Sequence, residues 1–470
     1  MNCIKINAKI QSLLHTLLLR DPIIIEIVDA IHAAGGRALL VGGAVRDLIL
    51  DRPVKDFDCE VHGISLKSLE VILNGFGRVN LIGKSFGVLR VNCLDVDWSL
   101  PRIDDAGRKP TVHLNANLSI ENAFMRRDLT INAMGIDLHT NTLIDPFDGM
   151  SDLTTKTLRA PNIDLFLHDP LRFFRVMQFI GRFDMYPDSA LNECCKNMSL
   201  DGISKERISL EFEKLLLLSR APSLGIRWLK SIGRLKDLLP ELDATSDVPQ
   251  DPDWHPEGNV FEHSMQTLDA ASCILYTSNY DMLALRYAAL CHDLGKVNTT
   301  KKVNGRWHSF GHAQTGAKFA RAVLKRIVIK KNLIYDVSVL VEHHMAAGTI
   351  ALQQVGLVRY KRLALKLVPR MNLHILADLA LADSQGRNNA SNIPLTKVPE
   401  WVLLFKDTAK KAGVLFHPEA PLLRGKDLMG VLAPGPAFGL LLHKAYQLQI
   451  DEQIADKEEL KRRIFTKGIL

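Results

Sequence analysis

Between Val41 and Gly63 the chain reads VGGAVRDLILDRPVKDFDCEVHG, a stretch that admits few backbone paths. A β-type run, Arg37–Val41, ends in a Gly42-Gly43 turn. Ala44–Leu50 has helical spacing, Pro53 breaks it, and Val54–Val61 returns to strand character. Asp56 and Asp58, two apart on that predicted strand, point to one face. Two such carboxylates repel each other unless a cation lies between them. A pair of divalent ions, roughly 3.5–4 Å apart, would resolve this, one activating a hydroxyl and the other holding a polyphosphate. Gly42-Gly43 opens a helix whose free N–H groups can bind phosphate oxygens, and Arg46 and Asp47 follow on it. The acid pair alone also fits a solvated strand edge. GG-x-VRD placed eight residues ahead of DFD is the rarer, more specific pattern.

The rest of the first 160 residues continues in mixed fashion: a helix at Leu66–Leu73 and strands at Val88–Val91, Asp95–Ser99 and Ile131–Leu138. From about Asp164 the period becomes helical, over Leu165–Phe183 and Ile208–Leu218. Asp243–Asp253, with its prolines and aspartates, reads as a linker. Helical segments resume near Val260 and run past Leu381, and Pro394–Leu470 carries PGP and a charged final helix. A chain of 470 residues exceeds one ordinary core. The expected fold class is therefore α+β and multidomain: a small mixed-sheet head (1–160), then a mostly helical neck (161–245), body (254–390) and tail (391–470). Hydrophobic residues at 47% and charged residues at 24% exclude a disordered chain. Seven scattered cysteines without a CxxC pair read as reduced thiols rather than a disulfide frame or zinc ribbon. Neither a bilayer-spanning run nor a signal peptide is legible, so the expected location is cytoplasmic.

In MRRDLTINAMGID, Met125–Asp137, Arg126 and Arg127 can neutralise a triphosphate, Asp128 can orient one of them, and Asn132 can bind a ribose. A surface ion network is the ordinary alternative. Asp95 and Asp97 share one strand face, and either offers a third acid or a plain solvent-facing carboxylate. Together these segments resemble the class II tRNA nucleotidyltransferase and poly(A) polymerase superfamily: GGAVRD with DFD its first motif, RRDLTINA its second, and DPFDGMSDL its third. The resemblance implies two-metal nucleotidyl transfer with Mg²⁺ on Asp56 and Asp58, Asp97 as third acid, and Gly42, Gly43, Arg46, Arg126, Arg127 and Asn132 around the nucleotide.

HDPLRFFRVMQF places Asp169 and Arg172 three apart. An acceptor beside a donor fork matches the edges of cytosine and adenine and rejects guanine and uracil; a plain ion pair is the alternative. The pair matches the superfamily's base-selecting helix, with Arg175 a secondary candidate, although His168 stands where Glu is usual. KERISLEFEKLL, Lys205–Leu216, resembles the following helical motif and reads as structural.

A second constellation follows: HPEGNVFEH with His263, HDLGK with His292 and Asp293, and ADSQGR with Asp383. Imidazoles and carboxylates suit a divalent transition metal, which turns bound water into a nucleophile for phosphoesters. The order resembles the HD phosphohydrolase domain of some bacterial CCA-adding enzymes. That resemblance implies phosphatase or 2′,3′-cyclic phosphodiesterase activity with Ni²⁺, Mn²⁺ or Mg²⁺. His312 and either His343 or His344 read as substrate-binding groups, extra ligands or ordinary histidines.

The net charge of +7 suits a polyanionic partner. Arg359, Lys361, Arg362, Lys366 and Arg370 form one basic cluster, and Lys325, Arg326, Lys330 and Lys331 another; each fits either tRNA phosphates or a solvated helix face. The implied partners are the tRNA 3′ end, CTP and ATP, with no membrane, for a monomer or a dimer. CC-only or A-only addition is the runner-up, against which Arg102, Asp104, Asp105 and Arg108 keep charge between the first two motifs. A hydrolase whose head only grips RNA is the reading from another class.

Overall fold

The computed structural model describes residues 3–54, 56–82, 87–92, 94–104, 112–389, 391, 393–428 and 436–466; Asp105 and Arg108 lie outside them. It divides into two compact units, Met1–Ile208 and Ser209–Leu470.

The first unit is built on a mixed sheet. Its strands are β1 (Cys3–Lys5), β2 (Arg37–Val41), β3 (Phe57–His62), β4 (Val79–Ile82), β5 (Val88–Val91) and β6 (Val96–Ser99), then β9 (Gly135–Asp137) and β10 (Thr142–Ile144). β7 (Arg102–Asp104) and β8 (Val112–Leu114) pair separately as an antiparallel hairpin. The order is β1-β10-β9-β2-β3-β6-β5-β4, and only β3 and β6 run parallel in it. Leu39, Val41, Ile120, Ala123, Phe124, Ala133 and Ile144 form a core cluster around the centre of the sheet. In β3 the alternation is clean at the start: Phe57 and Cys59 are buried, while Asp58 faces out.

Three sequence expectations move. The strand predicted from Val54 begins at Phe57, where its pairing with β6 starts, so Asp56 precedes the ladder. The strand predicted over Ile131–Leu138 survives only as β9. Thr130–Asn132 instead forms a 3₁₀ turn, since side chains compete for the backbone there: Asp128 Oδ1 accepts from the Leu129 N–H and the Asn132 amide. The helix expected over Leu165–Phe183 is two helices, Ile163–Phe166 and Leu171–Phe183, interrupted where Pro170 starts the second.

The second unit is helical. Val260–Ser272, Asn279–Cys291, His312–Ile327, Lys331–His343 and Leu373–Gln385 pack into its core, with Arg286 and Tyr287 among the largest fully buried side chains. Both terminal nitrogens of Arg286 donate to backbone carbonyls, those of Leu216 and Ser272, while its buried Nε has no partner among the described residues. Part of the expected linker is ordered: Pro240 starts a helix, Ala244–Asp247 is a 3₁₀ turn, and Thr245 is fully buried with its hydroxyl on the Leu242 carbonyl. A hairpin, Lys301–Val303 with Arg306–His308, interrupts the helices. Its Asn304-Gly305 turn takes positive φ at both residues, the conformation that this dipeptide favours.

Gly295, in the HDLGK segment, lets the next helix lie against the turn: a Cβ there would sit 2.0 Å from the His312 carbonyl oxygen. We expect Gly295→Ala to destabilise this unit by about 1–3 kcal/mol, the range for overpacking. Thermal unfolding would show it as a lowered Tm; an unchanged Tm would contradict the packing described.

Candidate active site and candidate metal centre

In the first unit the chemistry gathers where β3 and β6 start side by side. Their parallel register sets Asp58 opposite Asp97. Asp56 and Asp58 both face solvent, on either side of buried Phe57. Burial, then the charge of Asp97, pushes the Asp58 carboxyl up; Arg127 pulls it down and Asp56 adds to the rise. This is the mutual repulsion expected of acids that share a cation. Asp97 is steadied by Arg90, whose Nε donates to it at 2.7 Å. Asp95 is 85% exposed at its side chain and pairs with the same arginine, so the structure sets Asp97, not Asp95, beside Asp58.

Gly42 ends β2 with φ of +71°. A Cβ at this position would stand 2.9 Å from Arg127 Nη1, so glycine is needed for both conformation and approach. Gly43 begins the helix Gly43–Ile49, on which Arg46 follows. Arg46 is 5% exposed, donates to Asp47 and Asn132, and lies 4.7 Å from the Phe183 ring centroid. Asn132 is buried too, its amide donating to Asp128. Asp128 in turn accepts from Arg175 Nε at 2.6 Å. Burial would raise this carboxyl, but Arg175 and the Asn132 bond hold it at about 2. The Arg-Arg-Asp cluster is therefore an internal network, with Arg126 and Arg127 near a carboxylate the sequence did not single out. That carboxylate is Glu60, 2% exposed, at 3.8 Å from Arg126 and 3.5 Å from Arg127. Burial would raise it, but the His62 bond, then Arg127, keep it at about 2. The strand period contained the signal, because Glu60 continues the step from Asp56 to Asp58.

The third motif serves the second. Asp145 caps the helix Gly149–Thr155 by accepting from Gly149 and Met150, and Asp152 holds Thr130 and Arg159.

Asp169 precedes the helix rather than sharing a face of it with Arg172. Its carboxylate accepts from the Leu171 N–H and from Arg207 Nη2 at 2.9 Å. Arg172 donates to the carbonyls of Leu165 and Arg126. The KERISLEFEKLL segment, read as purely structural, thus supplies the cation that steadies Asp169.

In the second unit His263, His292, Asp293 and Asp383 do come together. His263 Nε2 lies 3.1 Å from Asp383 and 3.7 Å from Asp293, and His292 Nε2 lies 3.3 Å from Asp293. All but Asp383 are almost fully buried, and His292 Nε2 has no hydrogen-bond partner. An orphaned buried nitrogen among carboxylates fits a metal ion. Glu257 of the HPEG segment, which sequence reading passed over, receives His263 Nδ1 at 2.7 Å and orients the ring. Lys296 and Arg387 flank the acids, at 2.7 Å from Asp293 and 3.1 Å from Asp383. A cleft of about 240 Å³ opens onto Asp293, Asp383, His312 and His344. His344, not His343, belongs to the cluster.

Five of the nine cations in the two basic clusters form ion pairs within the unit. Lys361 pairs with Glu419, Arg362 with Asp451, Arg370 with Asp336, Arg326 with Glu241 and Lys330 with Glu213. Among the described residues no helix is long and apolar enough to cross a membrane.

Residues 38–159 match the model of the poly A polymerase head domain, and 260–385 that of the HD domain. The fold resembles a Bacillus stearothermophilus CCA-adding enzyme in complex with CTP (TM-score 0.66, 18% identity, 98% of this chain and 99% of that one). A Thermotoga maritima CCA-adding enzyme complexed with tRNA is similar as well (TM-score 0.56, 19% identity, 98% and 96%). In sequence, the multifunctional CCA protein of Neisseria meningitidis serogroup A is 33% identical over 378 residues, covering 78% of this chain and 87% of the relative. That of Mannheimia succiniciproducens is 35% identical over 301 residues, covering 62% and 70%. A head of one kind and a buried His-Asp cluster of the other, on one chain and with this identity, make the chain a member of the multifunctional CCA protein family.

Proposed function

We propose that this chain adds CCA to the 3′ end of tRNA from CTP and ATP without a template, and that its second site hydrolyses phosphomonoesters or 2′,3′-cyclic phosphates. The observation that carries the first activity is the register of Asp58 with Asp97 beside Asp56. The four regions read from the sequence take their roles from this: 1–160 catalytic, 161–245 nucleotide-selecting and RNA-binding, 254–390 hydrolytic, and 391–470 tRNA-binding. In the two basic clusters, read as either tRNA-facing or solvated, Lys361, Arg362, Arg370, Arg326 and Lys330 are in ion pairs, so backbone contact would fall first to Arg359, Lys366, Lys325 and Lys331.

Asp56, Asp58 and Asp97 would hold Mg²⁺, which when bound activates the RNA 3′-hydroxyl and neutralises the triphosphate. The chain's own groups do the rest. Gly42 leaves room for Arg127, and Glu60 anchors Arg126 and Arg127, so that their positive charge is in place for an incoming phosphate without reorganising. Arg46, Asn132, Asp128 and Arg175 form the buried frame behind them. For base choice Asp169 accepts and Arg172 donates toward the Watson–Crick edge, with Arg207 fixing the carboxylate. The hydroxyl oxygen attacks the α-phosphorus, pyrophosphate leaves, and the hydroxyl proton passes to the surrounding acids or solvent.

At the second site His263, His292, Asp293 and Asp383 would hold one divalent ion, Ni²⁺, Mn²⁺ or Mg²⁺, whose bound water supplies the nucleophile. Lys296 and Arg387 offer charge to the phosphate, and exposed Trp254 and Phe310 at the cleft offer faces on which a base can stack.

Two substitutions test the separation of the sites. We expect Asp58→Asn to cut nucleotide addition to tRNA lacking its CCA end by about 100-fold or more and to leave cyclic-phosphate hydrolysis intact, with His292→Ala doing the reverse. Loss of both activities in either folded variant would contradict two independent centres. For base choice, Asp169→Ala should erase the preference for CTP and ATP in an assay offering all four nucleotides, with Asp56 and Asp58 untouched. Retained preference would remove Asp169 from the selecting role.

A further inference from the structure

We propose that His62 is a positioning residue for nucleotide addition: held as an imidazolium, it occupies Glu60 so that Arg127 stays available to the triphosphate. This rests on the transferase reading of the head. His62 is 6% exposed, on β3, and both of its ring nitrogens face oxygens. Nδ1 lies 3.2 Å from the Leu118 carbonyl oxygen, and Nε2 lies 3.0 Å from Glu60 Oε1. A carbonyl oxygen only accepts, and so does a carboxylate. A neutral ring has a single hydrogen and would turn a lone pair on one of these oxygens. The doubly protonated ring satisfies both. A protonated Glu60 donating to a neutral ring is opposed by the guanidiniums beside its other oxygen, Arg127 at 3.5 Å and Arg126 at 3.8 Å. Burial would raise the Glu60 carboxyl, and the bond from His62 heads the causes that hold it at about 2 instead.

Glu60 is divided between its partners. His62 takes Oε1 at hydrogen-bond distance, whereas Arg127 stands off Oε2 at 3.5 Å, beyond the about 2.7–2.9 Å of a guanidinium closed onto a carboxylate. Arg127 is thus tethered rather than closed. Its guanidinium carbon lies 5.2 Å from the Phe124 ring centroid, and its Nη1 lies beside Gly42, where a Cβ would meet it at 2.9 Å. That places it at the turn whose helix N–H groups face phosphate. Arg37, the register partner of His62 on β2, donates to Asp137 through Nε and Nη2 instead. His62, Arg126 and Arg127 therefore set three positive charges against the one of Glu60, and the surplus faces the incoming polyanion. Without the imidazolium, Glu60 would hold an unshared charge and draw Arg127 into a close pair, away from the nucleotide. The effect acts on the triphosphate and not on the base, so it is the same for CTP and for ATP.

The test measures steady-state addition by the full chain, with CTP on tRNA lacking its CCA end and with ATP on tRNA ending in CC. We expect His62→Leu to raise KM for both nucleotides alike, by about 10-fold, with kcat changed by less than about twofold, the mark of lost uniform binding. Adding Glu60→Gln should bring both KM values back to within about threefold of the parent, because the charge that captured Arg127 is gone. A merely structural defect is not repaired by a second buried substitution. Nitrogen NMR of the parent, labelled at its histidines and held in mildly alkaline buffer, should show a ring with hydrogen on both nitrogens. That signal should be lost from the spectrum of His62→Leu or of His62→Gln. A neutral His62 ring in a parent that extends tRNA overturns the proposal and leaves the transferase reading standing. An unchanged KM in folded His62→Leu, or a raised KM that Glu60→Gln does not relieve, overturns it as well. A parent that extends no tRNA removes the transferase reading and the proposal together.

Discussion

Parallel pairing of β3 with β6 is the constraint on which the head depends. Elsewhere in the sheet neighbours run antiparallel. The parallel pair alone brings two strand starts, each with an acid, to one edge, so that Asp58 meets Asp97. Burying a carboxylate and placing like charges together both cost stability, and the rise in the Asp58 carboxyl, from burial first and Asp97 second, is the trace of that cost. A divalent cation reverses it. The same trade recurs in the second unit, where His263, His292 and Asp293 crowd together out of water beside Asp383. Both centres are built by the fold at a cost that metal binding offsets.

What keeps such groups from scattering is a supporting layer of hydrogen bonds and ion pairs. Behind the head acids, Arg46, Asn132, Asp128 and Arg175 hand one charge or hydrogen bond to the next, with Phe183 under the Arg46 guanidinium. Behind the His-Asp cluster, Glu257 fixes His263, while backbone carbonyls fix His292, His312 and His344. Removing one partner from a buried network of this kind leaves an uncompensated charge, at about 3–5 kcal/mol. The frames therefore contribute orientation rather than surplus stability.

Much of this was legible before the structure. Asp56 and Asp58 followed from a period of two, and the His263, His292-Asp293 and Asp383 order announced a metal cluster. The NG of Lys301–His308 was an equally plain hairpin signal and went unread. Other features had no local trace. Arg207 reaches Asp169 across 38 residues, and nothing near either names the other. Pro170 did forecast the break that takes Asp169 off the helix face, but the motif's spacing obscured it. The acidic partners of the basic clusters, such as Glu419 and Asp451 for Lys361 and Arg362, also lie far along the chain and leave no local trace. The choice between Asp95 and Asp97 also waited on register.

The central claim is that the acids at the β3–β6 edge form a metal-dependent nucleotidyl-transfer centre. Anomalous diffraction from crystals grown with Mn²⁺ and a non-hydrolysable CTP analogue tests it most directly. The expected result is metal density against the carboxylates of Asp56 and Asp58, with the triphosphate on its far side near Arg127. Nucleotide bound elsewhere, or ordered at this edge with no metal on Asp58, would contradict it.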